Sequence, residues 1–102
     1  MSLFTATDAD DRLPATACFS VYARAEPGVM PRVLELFAKR GLVPCFYQSS
    51  TFGADRSQLA IDIQMRGLGR DTMDYIAACL RQITCVEIVS ATQQHCPDGA
   101  EY

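Results

Sequence analysis

The feature that most restricts this chain is a change of hydrophobic period, from two to about 3.6 and back, made twice along its length. From Ala17 to Arg24 apolar and polar residues alternate, with Phe19, Val21 and Ala23 on one face and Cys18, Ser20, Tyr22 and Arg24 on the other. That pattern predicts a strand covered on one side. Met30, Val33, Leu34, Phe37 and Ala38 then recur at helical spacing, while Arg32, Glu35, Lys39 and Arg40 fall mostly elsewhere, predicting an amphipathic helix. Pro31 fits its first turn, where a missing amide hydrogen costs nothing. Gly41 behind two cations is a stop signal.

Leu42 to Phe52 is β-prone, Gly53 to Arg56 reads as a turn, and Gln58 to Arg66 alternates again. Leu59, Ile61, Ile63 and Met65 face inward; Gln58, Asp62, Gln64 and Arg66 face outward, so the pair is a hairpin. Pro44 cannot donate to a ladder, so the second strand is an edge or starts after it. Beyond Gly67 to Gly69, a second helix carries Met73, Ile76, Ala77, Leu80 and Ile83, with Asp71 and Asp74 at its positive end. Val86 to Ala91 is a last short apolar run. The order βαββαβ predicts an α+β, ferredoxin-like two-layer sandwich, a four-stranded antiparallel sheet with two helices on one face. Residues 1–14 are expected as a mobile arm, 15–92 as the domain and 93–102 as a flexible tail.

Composition narrows the function. At 102 residues, 49% of them hydrophobic, the chain suits one domain with a core of its own. A net charge of -3, with no cationic run longer than Lys39-Arg40, lacks the footprint of a nucleic-acid binder. No apolar run approaches the roughly 20 residues that cross a bilayer. Five cysteines, an odd number never spaced as CxxC and with no secretory signal before them, predict reduced thiols in a cytoplasm. Cys18, Cys45 and Cys79 are expected to pack as small hydrophobes, and neither metal nor cofactor is expected. The single histidine, His95, beside Cys96 in the expected tail, lacks the rigid shell a catalytic pair needs, so an enzyme is not expected.

The junction between first strand and first helix is the candidate site. Pro27 stiffens the entry, Gly28 has no side chain, and the amides of Val29 and Met30 lie at the positive end of a helix, which lets a small anion or carboxylate approach the backbone. Turn chemistry alone is the competing reading. Many functions share this strand order, so the loop must discriminate. It has no cysteine pair for a heavy metal. Arg24 would suit a phosphatase-like loop, but nothing else matches. Among the aromatics, only Tyr22 is placed for RNA stacking, without basic surroundings.

The ordered set SVYARAEPGV, PRVLELFAKRG, LVPCFYQ and ITCVEIV resembles an ACT domain over Ala17 to Ala91, and within that family most resembles the small regulatory subunits of acetohydroxyacid (acetolactate) synthase. The resemblance implies a non-catalytic regulatory module that dimerises with sheets side by side. It also implies a small amino acid, a branched-chain one among the candidates, bound at the interface. Carried over by position, Ala25, Glu26, Gly28, Val29 and Met30 would contact the ligand. Phe46, Tyr47 and Gln48 would form the dimer interface, where a partner's loop is met. From the residues alone, Phe46 or Tyr47 could equally be core and Gln48 solvated. Tyr22 and Arg24 would meet solvent or a catalytic subunit. The family often has asparagine or aspartate where this chain has Ala25. The alternative is therefore a ligand-free, partner-binding or activating subunit of a biosynthetic enzyme such as acetolactate synthase.

Overall fold

The structure is a computed structural model, and it describes residues 15–95. In chain order the elements are β1 (Ala15–Arg24), α1 (Val29–Ala38), β2 (Phe46–Phe52), β3 (Gln58–Arg66), α2 (Arg70–Arg81) and β4 (Val86–His95). The four strands form one antiparallel sheet in the order β2-β3-β1-β4. This is the ferredoxin-like βαββαβ sandwich expected from the alternation of periods.

The alternating residues of β1 and β3 pair in register, Phe19 with Ile63 and Val21 with Ile61, so their apolar sides form one continuous floor. Phe37 of α1 stands edge-on to Phe19, ring centres 5.8 Å apart at 77°. Ile76 and Leu80 of α2 close the other half. Each such side chain contributes about 1.5–3 kcal/mol by burial, which is why the core sits between sheet and helices and nowhere else.

Three sequence expectations shift. Leu34 and Ala38 are exposed, whereas Val29 is buried and Leu36 is half-buried, so α1 presents Val29, Val33 and Phe37 to the sheet and turns Leu34 outward. β2 begins at Phe46, after Pro44, and is an edge, in line with the reading of Pro44. β4 continues past Ala91 to His95, because β1 offers it a pairing partner all the way, Ala15 opposite His95. Gln93, at the expected start of the tail, instead donates from Nε2 to the Leu68 carbonyl at 2.9 Å. Finally, Cys45 is exposed and Cys18 and Cys79 are half-buried, not core residues; Cys45 Sγ donates to the Gln64 carbonyl at 3.3 Å. The expected arm at 1–14, and Cys96 with the rest of the tail, lie outside the described residues.

In the β2–β3 hairpin, Ser57 donates its amide to Asp55 Oδ1 at 3.1 Å. The Ser57 hydroxyl first, and its amide second, hold the Asp55 carboxyl below its ordinary range. Among the described residues no helix is long and apolar enough to cross a membrane.

Candidate functional site

The loop between β1 and α1 is tied at its start to two neighbouring turns. The Arg24 amide donates to the Cys85 carbonyl at 3.0 Å and the Ala25 amide to the Ser57 carbonyl at 2.8 Å. Arg24 Nη2 also donates to Cys85 Sγ at 3.3 Å. Cys85 holds φ 79, a left-handed conformation rare outside glycine. Within the loop, the Glu26 amide bonds the Arg24 carbonyl at 2.8 Å, and the Val29 amide bonds the Glu26 carbonyl at 3.1 Å. Val29 therefore does not offer the open amide expected of it, whereas the amides of Gly28 and Met30 have no protein acceptor among the described residues.

Gly28 is in ordinary helical backbone, φ -79 and ψ -7, so its conformation does not require glycine. A Cβ built there would meet nothing within 4 Å. What glycine preserves is open space in front of the first turn of α1, where unpaired donors and the helix dipole favour a negative group. Ala25 is half-buried and Glu26 exposed, so Glu26 carries the loop's only charged side chain after Arg24.

Met30 links this loop to β2: Ser49 Oγ donates to Met30 Sδ at 3.2 Å. Tyr47 lies two residues before Ser49 and so on the same, helix-facing side of the strand. Its hydroxyl is buried without a hydrogen-bond partner among the described residues. Burial pushes the Tyr47 phenol above its ordinary value, with the Ser49 hydroxyl opposing the rise.

Phe46 and Gln48 alternate to the opposite, open face of the sheet. The three β2 residues expected at one interface thus divide between two faces and share only the strand's edge. On the open face Tyr22, Phe46, Phe52 and Ile88 are exposed, with Tyr22 and Phe52 edge-on at 6.5 Å. On the helix side, Met30 and Leu34 share a stripe of α1, one turn apart, and Val43 in the α1–β2 connection is 83% exposed. The edge strand FYQSSTF between these apolar margins has no charge and no proline. Leu34 was expected among the core-facing residues of α1, and Ser49 was not singled out from sequence; the alternation Tyr47, Ser49 was the signal available for it.

No curated protein matches the sequence. Solved structures do match in fold. The ACT domain of GTP pyrophosphokinase from Chlorobium tepidum superposes with a TM-score of 0.64 at 12% identity, covering 76% of this chain and 96% of that one. The C-terminal domain of the MgtC protein from Mycobacterium tuberculosis gives 0.62 at 13% identity over 80% and 88%. The regulatory subunit of aspartate kinase from Thermus flavus gives 0.57 at 16% identity over 80% and 52%. Likeness at these identities concerns the fold. Family membership rests on sequence: residues 10–98 match the ACT-like domain family, and with most of its length accounted for the chain belongs to that family.

Proposed function

We propose that this ACT-like domain is a regulatory, non-catalytic module that pairs with a second copy along β2. In this reading a small amino acid binds between the Ala25 to Met30 loop of one copy and the β2 strand of the other. ACT-like domains are typically regulatory and ligand-binding. The observation that carries the proposal is the Met30–Ser49 contact, which makes the loop and the uncharged β2 edge neighbours. A copy laid on that edge would meet the loop. An exposed, uncharged edge strand is a ready template for pairing. The Gly28 and Met30 amides suit a carboxylate, and exposed Glu26 is the nearest group for an ammonium.

The test combines light scattering for mass with a thermal shift against each common amino acid. A dimer that gains about 10 °C with one chemical class supports the reading, since saturation at about 100 times Kd contributes roughly 2.7 kcal/mol. A monomer, or a dimer indifferent to all of them, removes it.

Ala25 favours a second reading, a dimer that has no effector and serves as an activating subunit of a biosynthetic enzyme such as acetolactate synthase. The loop position that would carry an amide or carboxylate side chain is apolar, and its own amide is already bonded to Ser57. Tyr22, Phe52 and Ile88 on the open face would then be the contact. A dimer without any amino-acid shift that loses co-purification with a catalytic subunit on Ile88→Asp is the result this reading expects.

A further inference from the structure

Between the helices lies an open cleft of about 440 Å³ lined by Arg32, Glu35, Leu36, Lys39, Arg40 and Cys79, together with Ile83. Its charge runs against that of the whole chain. Three of the nine cationic residues line it and one of the twelve acidic ones, so a protein of net charge -3 has a local excess of two positive charges here. Glu35 is already engaged with Lys39 at 3.6 Å.

Arg40 is held in place. Its Nη1 donates to the Leu36 carbonyl at 2.9 Å, and its Nη2 donates to the Tyr75 hydroxyl at 3.1 Å and to Cys79 Sγ at 3.7 Å. The guanidinium also lies 5.1 Å from the centre of the Tyr75 ring. A guanidinium carries five N–H donors. Three are spent on these contacts, and two remain on a group whose orientation is fixed before any ligand arrives, so little rotamer entropy is left to lose. Arg32 is exposed and has no carboxylate partner among the described residues.

We propose that this inter-helix cleft is an anion site for a small molecule carrying a phosphate monoester, with Arg32 and Arg40 as its ligands and Leu36 and Ile83 as its apolar floor. A phosphate monoester carries about 1.5 to 2 negative charges at neutral pH, which matches the local excess. Arg32, with its fork unused among the described residues, can bind two of the phosphate oxygens as a pair, and Arg40 adds single hydrogen bonds from its remaining Nε and Nη1 hydrogens. The cleft is open to solvent and has room for a small phosphorylated molecule. This site is separate from the β1–α1 loop and stands or falls without it.

The probe is glycerol 3-phosphate, with glycerol as control, titrated into the full chain and followed by amide and arginine side-chain NMR. Saturable shifts at Arg40, Cys79 and Ile83, absent with glycerol, are expected. Arg32→Glu, at an exposed side chain with no ion pair or side-chain hydrogen bond among the described residues, should weaken Kd about tenfold or more, as loss of one charged hydrogen bond does. Lys39→Gln serves as the second variant and should weaken it less. Shifts that never saturate, or equal affinity in Arg32→Glu and the parent, overturn the proposal. So does saturable binding confined to Gly28 and Met30, which would move the phosphate to the loop.

Discussion

Ser49 and Met30 join an edge strand to the first turn of a helix through one hydroxyl–thioether hydrogen bond of 3.2 Å. On the same face of the strand the Tyr47 hydroxyl is buried with no hydrogen-bond partner among the described residues. An unmet buried hydroxyl costs about 1–3 kcal/mol. Tyr47→Phe should therefore raise the stability of the isolated chain by about 1 kcal/mol, or about 4–8 °C in Tm, by urea and thermal unfolding. A loss of stability would mean that the hydroxyl has a partner in solution.

The same residue sets a pH dependence. Burial raises the folded-state pKa of Tyr47 above its unfolded value, so the unfolded chain releases this proton first. The stabilisation associated with the neutral phenol is complete below the unfolded pKa of about 10 and is lost as pH rises through the folded one. Urea midpoints should fall more steeply above about pH 10 in the parent than in Tyr47→Phe. Parallel curves would contradict this.

Gly28→Asp should fold normally, because its φ of -79 suits any residue and a Cβ there meets nothing within 4 Å. Stability should change by no more than about 0.5 kcal/mol. The new carboxylate fills the opening before α1, so the thermal shift caused by any amino acid should disappear. Retention of the shift would place the ligand elsewhere.

Ser50→Lys puts a charge on the uncharged β2 edge, a device by which edge strands avoid association. The variant should be monomeric by light scattering with an unchanged circular dichroism spectrum. A persistent dimer would direct attention to the open face, where Tyr22 and Phe52 meet edge-on.

Cys85 pairs a left-handed backbone, φ 79, with a sulfur that accepts from Arg24. Cys85→Gly and Cys85→Ala both lose the sulfur, but only glycine relieves the backbone. Chemical denaturation should find the glycine variant more stable than the alanine variant by about 1–2 kcal/mol. Equal stability would mean that the turn is unstrained.

What could be read without coordinates follows from which forces act locally. The buried sides of β1 and β3 were legible because both strands are central, with helices on one face and solvent on the other, so their alternation is undiluted. The last part of β4 was not, since Thr92, Gln93 and Gln94 are polar and their order comes from pairing with β1, a partner far away in the chain. Leu34 and Ala38 misled because helical spacing defines a stripe but not how a helix is rotated on a sheet. At the loop, the turn chemistry of Pro27 and Gly28 was visible; the bond that removes the Val29 amide was not, because it depends on how tightly the turn closes. Arg40 and Tyr75 meet only when the two helices pack, so no local pattern announces their cleft.

The placement of β1 has a consequence for assembly in time. This strand is first of the four in the chain and central in the sheet, with β3 on one side and β4 on the other. Its second neighbour, running from Val86 to His95, is the last of the described strands to be synthesised. The core strand must therefore wait for nearly the whole described domain before its hydrogen bonds are complete. Such long-range closure makes folding slow relative to a helical bundle of this size. On the ribosome, the interval before β4 emerges is when Phe19 and Val21 are most open to a chaperone, and a nascent chain stalled before Val86 should be sensitive to protease where the released chain resists it.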